Sequence, residues 1–562
     1  MHDCAPHVQH PSGDIPDRLG VARDFASSRY VATRVLIALL LLSLLPRFVA
    51  AWKLEPVSSD AYYYIASASS LEDGNVETAF SYLKLNIYPV ILAQLHRLGL
   101  DWIVGAKLWG ALMGGLVVLP LFGWVRRLFD DRIAALACFL YAIDPELIEL
   151  SVEPMRESTF WLLLAVSLYF QRRCVEEKRP WLFALAGVGT AAAIHTRSEG
   201  WLLCLPLVVW AFVCWRRREP SSGKLWLGIP LAAAMTPALI IVFNLTVLHS
   251  QSKWDWGRLQ HAAIAYQWLA SSLGWEESAS GPKKAANVAP KPPGAVRGGA
   301  GRSSARHSHA GLGARVSQYV DGFVQSLGPI NLALLAIGLV HGRRMFFQGE
   351  KLALLLVALA IMLAVWMRLW ESGGMNGRWF FTAMLVLLPF ESLGMLAIAE
   401  GLDRLVPPIS DMRLKRRVIA CLAVLTVVCW GDMLTTSHPS RESQKVAGDW
   451  LRDRCGPFDL VVVNRGAERV GYYAGEAMPK SPPKKGRLVQ TIESLSPNLV
   501  VLTKKDTSTS EMELAAACVT CERLGLSRIA VPDLADEFVV FSREPSMRAR
   551  ISDHSLGTPR RN

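Results

Sequence analysis

Apolar residues recur along this chain in membrane-length blocks separated by short polar joints. About eleven blocks have the length and composition of helices that cross the hydrocarbon core, near residues 31–52, 102–125, 133–150, 158–170, 181–196, 199–215, 225–248, 328–342, 351–369, 379–400 and 418–434. The joints at Arg126 to Arg132, Arg172 to Arg179, Arg216 to Lys224, Arg343 to Lys351 and Arg404 to Arg417 are basic and share the side of the N-terminus. By the positive-inside rule that side is the cytoplasm. An odd number of crossings then puts the C-terminal tail outside. The fold class expected is a polytopic α-helical membrane protein with a small extracytoplasmic α/β domain.

The segments between the blocks differ in character. Residues 1–30 lack periodicity and read as a disordered cytoplasmic tail, and the first block is too long for a cleaved signal peptide, so it is a retained anchor. The outer segment 53–101 places Tyr62, Ile65 and Ala66, then Tyr88, Ile91, Leu92 and Leu95 at helical spacing, which predicts ordered helices along the membrane surface. A second outer segment, 276–315, is crowded with Gly, Pro, Ser, Lys and Arg and is expected to be disordered. Its flank Trp254 to Leu273 has the pattern of a surface helix. From 440 to 545 strands are predicted at 458–463, 498–502 and 537–541, with helices at 442–454 and 511–524, an alternation that favours a parallel sheet. Gly471 to Gly475 reads as a turn, and 546–562 as a disordered end.

Composition agrees with a membrane protein. Of 562 residues 51% are hydrophobic and only 19% charged, too apolar for an ordinary soluble chain of this length. The net charge of +12 resides largely in the cytoplasmic joints and the basic outer loop, so nucleic acid is not an expected partner. The ten cysteines are scattered, several within apolar blocks, and show no zinc pattern. A lone Cys518-x-x-Cys521 in the tail has the spacing of a disulfide or redox pair without a second ligand pair beside it.

The chemistry is expected on the outer face, where short joints carry few charges: Glu153, Arg156 and Glu157; Arg197 and Glu199; Arg368, Glu371 and Arg378. Charges at helix ends are costly unless paired or wetted, so they tend to mark sites. Asp60 follows the first block and precedes Tyr62, Tyr63 and Tyr64, while Lys84 stands four residues before the Tyr88-Pro89 pair. Each has a plainer reading. Arg197 could staple helix ends through Glu199 or Glu157, Arg378 could snorkel, and the tyrosines could form an interfacial belt.

Taken in order, Asp60-Ala-Tyr-Tyr-Tyr, Lys84-x-x-x-Tyr88-Pro89, Glu153-x-x-x-Glu157, Thr196-Arg197-x-Glu199-Gly200 and Arg378-Trp379-Phe380 make the chain resemble the GT-C superfamily of integral-membrane glycosyltransferases. The likeness is to the bacterial relatives of protein O-mannosyltransferases and of the aminoarabinose transferase acting on lipid A, over most of residues 30–435. Two departures stand out. The family often has a second acid beside the first, where this chain has Ser59 and Ala61, and its K-P-P-x-Y-P element is here Lys84-Leu-Asn-Ile-Tyr-Pro.

The resemblance implies an inner-membrane enzyme that takes a sugar from a polyprenyl-phosphate donor lipid and passes it, with inversion, to an acceptor hydroxyl on the extracytoplasmic face. It implies Asp60 as the base, and Lys84, Arg197 and Arg378 as ligands of the donor phosphate. Tyr63, Tyr88, Glu153, Glu157 and Glu199 would shape the site or the acceptor pocket. No cofactor is assigned; a divalent metal is compatible with the resemblance, but no outer Asp-x-Asp cluster is present to hold one. Two alternatives belong to other classes. A transporter or flippase for a lipid-linked glycan would show charges near the bilayer midplane, and a non-catalytic assembly partner would use the tail domain.

Overall fold

The computed structural model describes residues 18–53, 58–83, 86–218, 222–246, 312–346, 349–372, 376–405 and, isolated positions aside, 439–452, 461–464, 467–474, 488–503, 511–529 and 537–543. Seven helical stretches among them are long and apolar enough to cross a membrane: Thr33–Lys53, Trp102–Leu128, Ser198–Arg216, Ser222–Thr246, Leu312–His341, Gly349–Trp370 and Gly377–Gly401. Three more of the expected crossings are helical but shorter or more charged, and the block at 418–434 lies largely outside the described residues.

In chain order, α1 (Arg18–Lys53) is followed by three short helices, α2 (Ser59–Glu72), α3 (Val76–Leu83) and α4 (Ile87–Arg97). These fall in the segment expected to hold ordered helices, and they form a packed unit. Tyr64, Ile65, Ala68, Leu71, Phe80, Tyr88 and Leu92 bury one another against Met155 and Ile240. Next come α5 (Trp102–Leu116), α6 (Val118–Leu128), α7 (Asp131–Ile143), α8 (Pro145–Val152), α9 (Glu157–Glu177), α10 (Pro180–Thr196), a 3-10 turn at Ser198–Leu203, α11 (Cys204–Arg216) and α12 (Ser222–Thr246). The bundle continues through α13 (Leu312–His341), α14 (Gly349–Ser372), a 3-10 turn at Gly377–Phe380 and α15 (Phe381–Leu405).

Three boundaries differ from the sequence expectation. Residues 18–30, expected to be disordered, begin α1, and residues 312–315 begin α13 rather than ending a disordered loop. The block at 133–150 is two helices. Asp144 ends α7 in extended backbone (φ −62°, ψ 119°) and caps α8 by accepting the Leu147 N–H at 2.9 Å, while Pro145 occupies the first helical position, where its missing N–H costs nothing.

The tightest helix contact joins α13 to α15. A Cβ on Gly338 would sit 1.7 Å from the Phe390 carbonyl oxygen, and one on Gly394 would sit 1.9 Å from that of Leu334. Only glycine lets the two backbones approach so closely, the device of small residues at membrane helix interfaces.

Beyond the bundle, α16 (Pro439–Arg452), β1 (Val461–Val463), α17 (Glu468–Ala474), α18 (Leu488–Leu495), β2 (Leu499–Thr503), α19 (Glu511–Arg523), β3 (Ser527–Ile529) and β4 (Phe538–Ser542) build a sheet with helices beside it. The strand order is β1-β2-β4-β3. β1 and β2 are parallel, but β4 runs antiparallel to β2 and β3 antiparallel to β4, so the sheet is mixed and not parallel. Separate apolar clusters form from alternate residues of the central strands, Val461, Leu499, Val501 and Val540 on one side and Val462, Val500, Val539 and Phe541 on the other. Residues 471–474, expected as a turn, lie within α17, which packs against α2.

Cys518 and Cys521 share α19 and are free thiols. Burial pushes the Cys521 thiol up to about 12. Because the thiolate is the nucleophile, alkylation of Cys521 at pH 8 is expected to be far slower in the folded protein than after denaturation, as read by peptide mass spectrometry. For the bundle, Gly338→Val is expected to destabilise by at least about 1–3 kcal/mol in detergent thermal unfolding. Gly313→Ala, at a position with open space around it, should be near neutral.

Candidate active site

Four elements meet near the end of α1 that carries Lys53. The first turn of α2 presents Asp60. Opposite, Asn376 caps the 3-10 turn by accepting the Arg378 N–H at 3.2 Å, which fixes the start of the Arg378-Trp379-Phe380 element. Arg378 is ion-paired to Asp60 through Nη2, and its Nη1 contacts the Met155 sulfur at 3.1 Å. Asp60 keeps about a third of its side-chain surface exposed (35%), so a ligand can reach it.

The third element is the joint after α10. Arg197 has extended backbone (φ −142°, ψ 144°), which ends the helix and turns its side chain inward. Its Nη1 donates to Glu157 Oε1 at 2.5 Å and its Nη2 to Glu199 Oε1 at 2.6 Å. Arg197 and Glu157 are each only 2% exposed. Gly200 permits this turn: a Cβ there would lie 2.5 Å from the Ile194 backbone nitrogen. The fourth element is α4. Asn86 caps it through the Tyr88 N–H at 3.0 Å, and the fully buried Tyr88 ring meets Tyr64 edge-on at 5.2 Å.

Of the residues expected from sequence, the structure brings Asp60, Arg378, Arg197, Glu157 and Glu199 together, with Tyr88 beneath them. Arg378 lies within electrostatic reach of Asp60, Glu157 and Arg197. Glu153 is buried at the end of α8, and Tyr63 is half-buried with its ring edge-on to Tyr62 at 5.8 Å. Lys84 lies outside the described residues. Arg197 sits between two carboxylates, the arrangement of the stapling alternative.

Two cations were left without a role at the sequence level. Arg156 stands 5.8 Å from the centre of the Tyr64 ring, and Arg368, 4.6 Å over Trp379, is within electrostatic reach of Glu199, Arg197, Arg156 and Arg378. The signal for Arg368 was present, a charge near the end of an apolar block. Four guanidiniums thus share the region with Asp60, Glu157 and Glu199. The buried Nε atoms of Arg156, Arg197 and Arg378, together with the Tyr88 hydroxyl, lack hydrogen-bond partners among the described residues. Buried donors of this kind are suited to an anion. Among the described residues no group of three His, Cys, Asp or Glu is placed to hold a metal ion.

A second polar group lies within the spans themselves. Fully buried Arg47 donates to Ser43 O at 2.9 Å, Ser43 Oγ at 2.9 Å, Ser151 Oγ at 3.2 Å and Tyr141 O at 3.3 Å. Asp144 accepts from Asn331 Nδ2 at 2.8 Å. Fully buried Glu391, on α15, is within electrostatic reach of Asp144, and neither of its oxygens has a hydrogen-bond partner among the described residues. These charges were read at the sequence level as parts of apolar blocks.

Residues 87–241 match the family model of dolichyl-phosphate-mannose-protein mannosyltransferases. Over those residues the chain is similar to that family. Its fold resembles ArnT from Cupriavidus metallidurans bound to undecaprenyl phosphate, with a TM-score of 0.55 and 14% identity, over 91% of this chain and 98% of that one. It also resembles the archaeal oligosaccharyltransferase AglB from Archaeoglobus fulgidus in complex with an inhibitory peptide and a dolichol-phosphate. There the TM-score is 0.52 at 13% identity, over 92% of this chain and 75% of that one. At such identities the likeness establishes the fold. Among curated proteins none matches in sequence. The protein is therefore a multi-pass membrane protein that shares its fold with both of these solved structures.

Removing one member of a buried ion pair strands the other. Arg197→Met leaves Glu157 and Glu199 uncompensated and is expected to lower stability by roughly 3–5 kcal/mol in detergent unfolding. Adding Glu157→Gln should recover part of that loss.

Proposed function

We propose that the protein moves a sugar from a polyprenyl-phosphate donor to an acceptor hydroxyl at the Asp60 site, on the extracytoplasmic side of the cell membrane. The observation that carries this reading is the Asp60–Arg378 pair at the edge of a cationic cluster. It sets a proton acceptor beside a group able to receive a departing phosphate. The family model and the lipid phosphates of the two solved relatives support the donor class.

In the proposed step the Asp60 carboxylate takes the acceptor's hydroxyl proton while the oxygen attacks the anomeric carbon. The bond from that carbon to the phosphate oxygen breaks, and its electron pair leaves with the lipid phosphate. Attack from the face opposite the phosphate inverts the configuration. Arg378, with Arg368 and Arg156 near it, holds the departing charge, and Arg binds phosphate oxygens two at a time. Lys84 would add a further positive charge. Arg197, already shared by two acids, acts more by fixing Glu157 and Glu199 than by binding phosphate. Tyr63, Tyr88 and Glu153 shape the acceptor side.

The intramembrane charges favour one other reading, translocation of a lipid-linked glycan. Both readings are separated in proteoliposomes carrying a radiolabelled polyprenyl-phosphate sugar. Asp60→Asn is expected to reduce transfer by about 10²–10⁴-fold, the usual worth of a general base, while the protein remains folded. Transfer unaltered by that change removes Asp60 as the base. Lipid-linked sugar crossing the bilayer without transfer, and blocked by Glu391→Gln, supports translocation instead. Product anomeric configuration, read by NMR, tests inversion.

A further inference from the structure

At the end of the bundle remote from Asp60, α1, α6 and α9 enclose an open groove of about 820 Å³. The distance from Asp60 follows from α1 itself: Thr33 lines the groove, and Lys53, 20 residues along the helix, stands roughly 30 Å away at the other end. Leu36, Leu119 and Phe122 make the walls apolar, and Tyr169 closes one side. The Tyr169 ring lies directly on Gly123, where a Cβ would meet it at 2.7 Å. Val35, Ile37 and Leu41 of α1 and Leu119 of α6 are exposed apolar side chains beside the groove, so it opens toward lipid.

The polar end of the groove is lined by Arg126 and Arg127, and each is paired with a carboxylate just beyond the lining. Arg126 meets Asp131 through Nε at 2.5 Å, and Arg127 is ion-paired to Glu176 through Nη1 while its guanidinium lies 5.6 Å over the Tyr169 ring. Both terminal nitrogens of Arg126, and Nε and Nη2 of Arg127, have no hydrogen-bond partner among the described residues. The Asp131 side chain is 49% exposed and that of Glu176 28%. Two guanidiniums with donors to spare, each flanked by an accessible carboxylate, match a headgroup that itself carries a phosphate and an amine.

We propose that this groove binds a phospholipid of that leaflet with a zwitterionic, primary-amine headgroup. Its phosphodiester accepts from Arg126 and Arg127, its ammonium faces Asp131, since both oxygens of Glu176 are taken by Arg127 and Arg172, and one acyl chain lies along Leu36, Leu119 and Phe122. A headgroup with negative charge alone would bring no cation to the half-exposed Asp131 carboxylate as it draws on Arg126. The apolar trough selects the lipid over the free headgroup, since only the lipid has acyl methylenes to bury there.

Native mass spectrometry of the detergent-purified full chain tests this, with phosphatidylethanolamine, phosphatidylglycerol and water-soluble glycerophosphoethanolamine supplied separately. The wild type is expected to retain one phosphatidylethanolamine at least about fivefold more than phosphatidylglycerol, a difference near 1 kcal/mol. Arg126→Gln with Arg127→Gln removes the phosphate donors, and Leu119→Trp fills the trough while leaving both arginines in place. Each should reduce retention by a similar factor. Equal or stronger retention of phosphatidylglycerol overturns the headgroup assignment. Retention unchanged in both variants overturns the groove as the site, and displacement by the soluble headgroup overturns the role of the acyl chain.

Discussion

A charge placed among packed helices is stable only if another group answers it, and the outer end of this bundle is organised by that demand. Arg197 is the central case. With both flanks taken by Glu157 and Glu199, it ties the first turn of α9 to the joint after α10. The extended backbone at Arg197 and the glycine at 200 are the local means by which the side chain turns inward. Because the cluster is nearly dry, each pairing is stronger than at a surface and each omission more costly. The Asp60–Arg378 pair differs. It is partly exposed, joins elements far apart in sequence, and is therefore the pair a ligand can open.

The same demand acts deeper in the bundle with other materials. Arg47 is satisfied by two hydroxyls and two carbonyls, and its positive field offsets the charge of Asp144. Glu391 has no such company among the described residues. A carboxyl buried without donors around it is costly to keep, and an ionisable residue within a span tends to mark a function.

Much of the helical plan was legible because apolar blocks of membrane length leave few other structures open to them. The break at Asp144 was not read, although Asp before Pro is a turn signal, because the residues on both sides are apolar enough to merge into one block. Arg47 and Glu391 were hidden for the same reason, a single charge diluted by its neighbours. The mixed sheet was illegible because strand direction depends on which edge a strand joins, and nothing local in Phe538–Ser542 records that β4 lies between β2 and β3. At the site, residue types and sidedness were legible, and pairing was not. Asp60 and Arg378 are 318 residues apart, and no spacing rule relates them.

The contact between α17 and α2 bears on how the two parts of the chain work as one object. The helix that carries Asp60 is clasped on one side by the membrane bundle and on the other by a helix of the sheet-containing region. Its rigidity is therefore shared property. The carboxylate sits in the first turn of a fourteen-residue helix, so its seating depends on a rigid element that both regions touch. Evolution of that region, whatever it touches on its far side, is constrained at this seam to preserve the seating of one carboxylate.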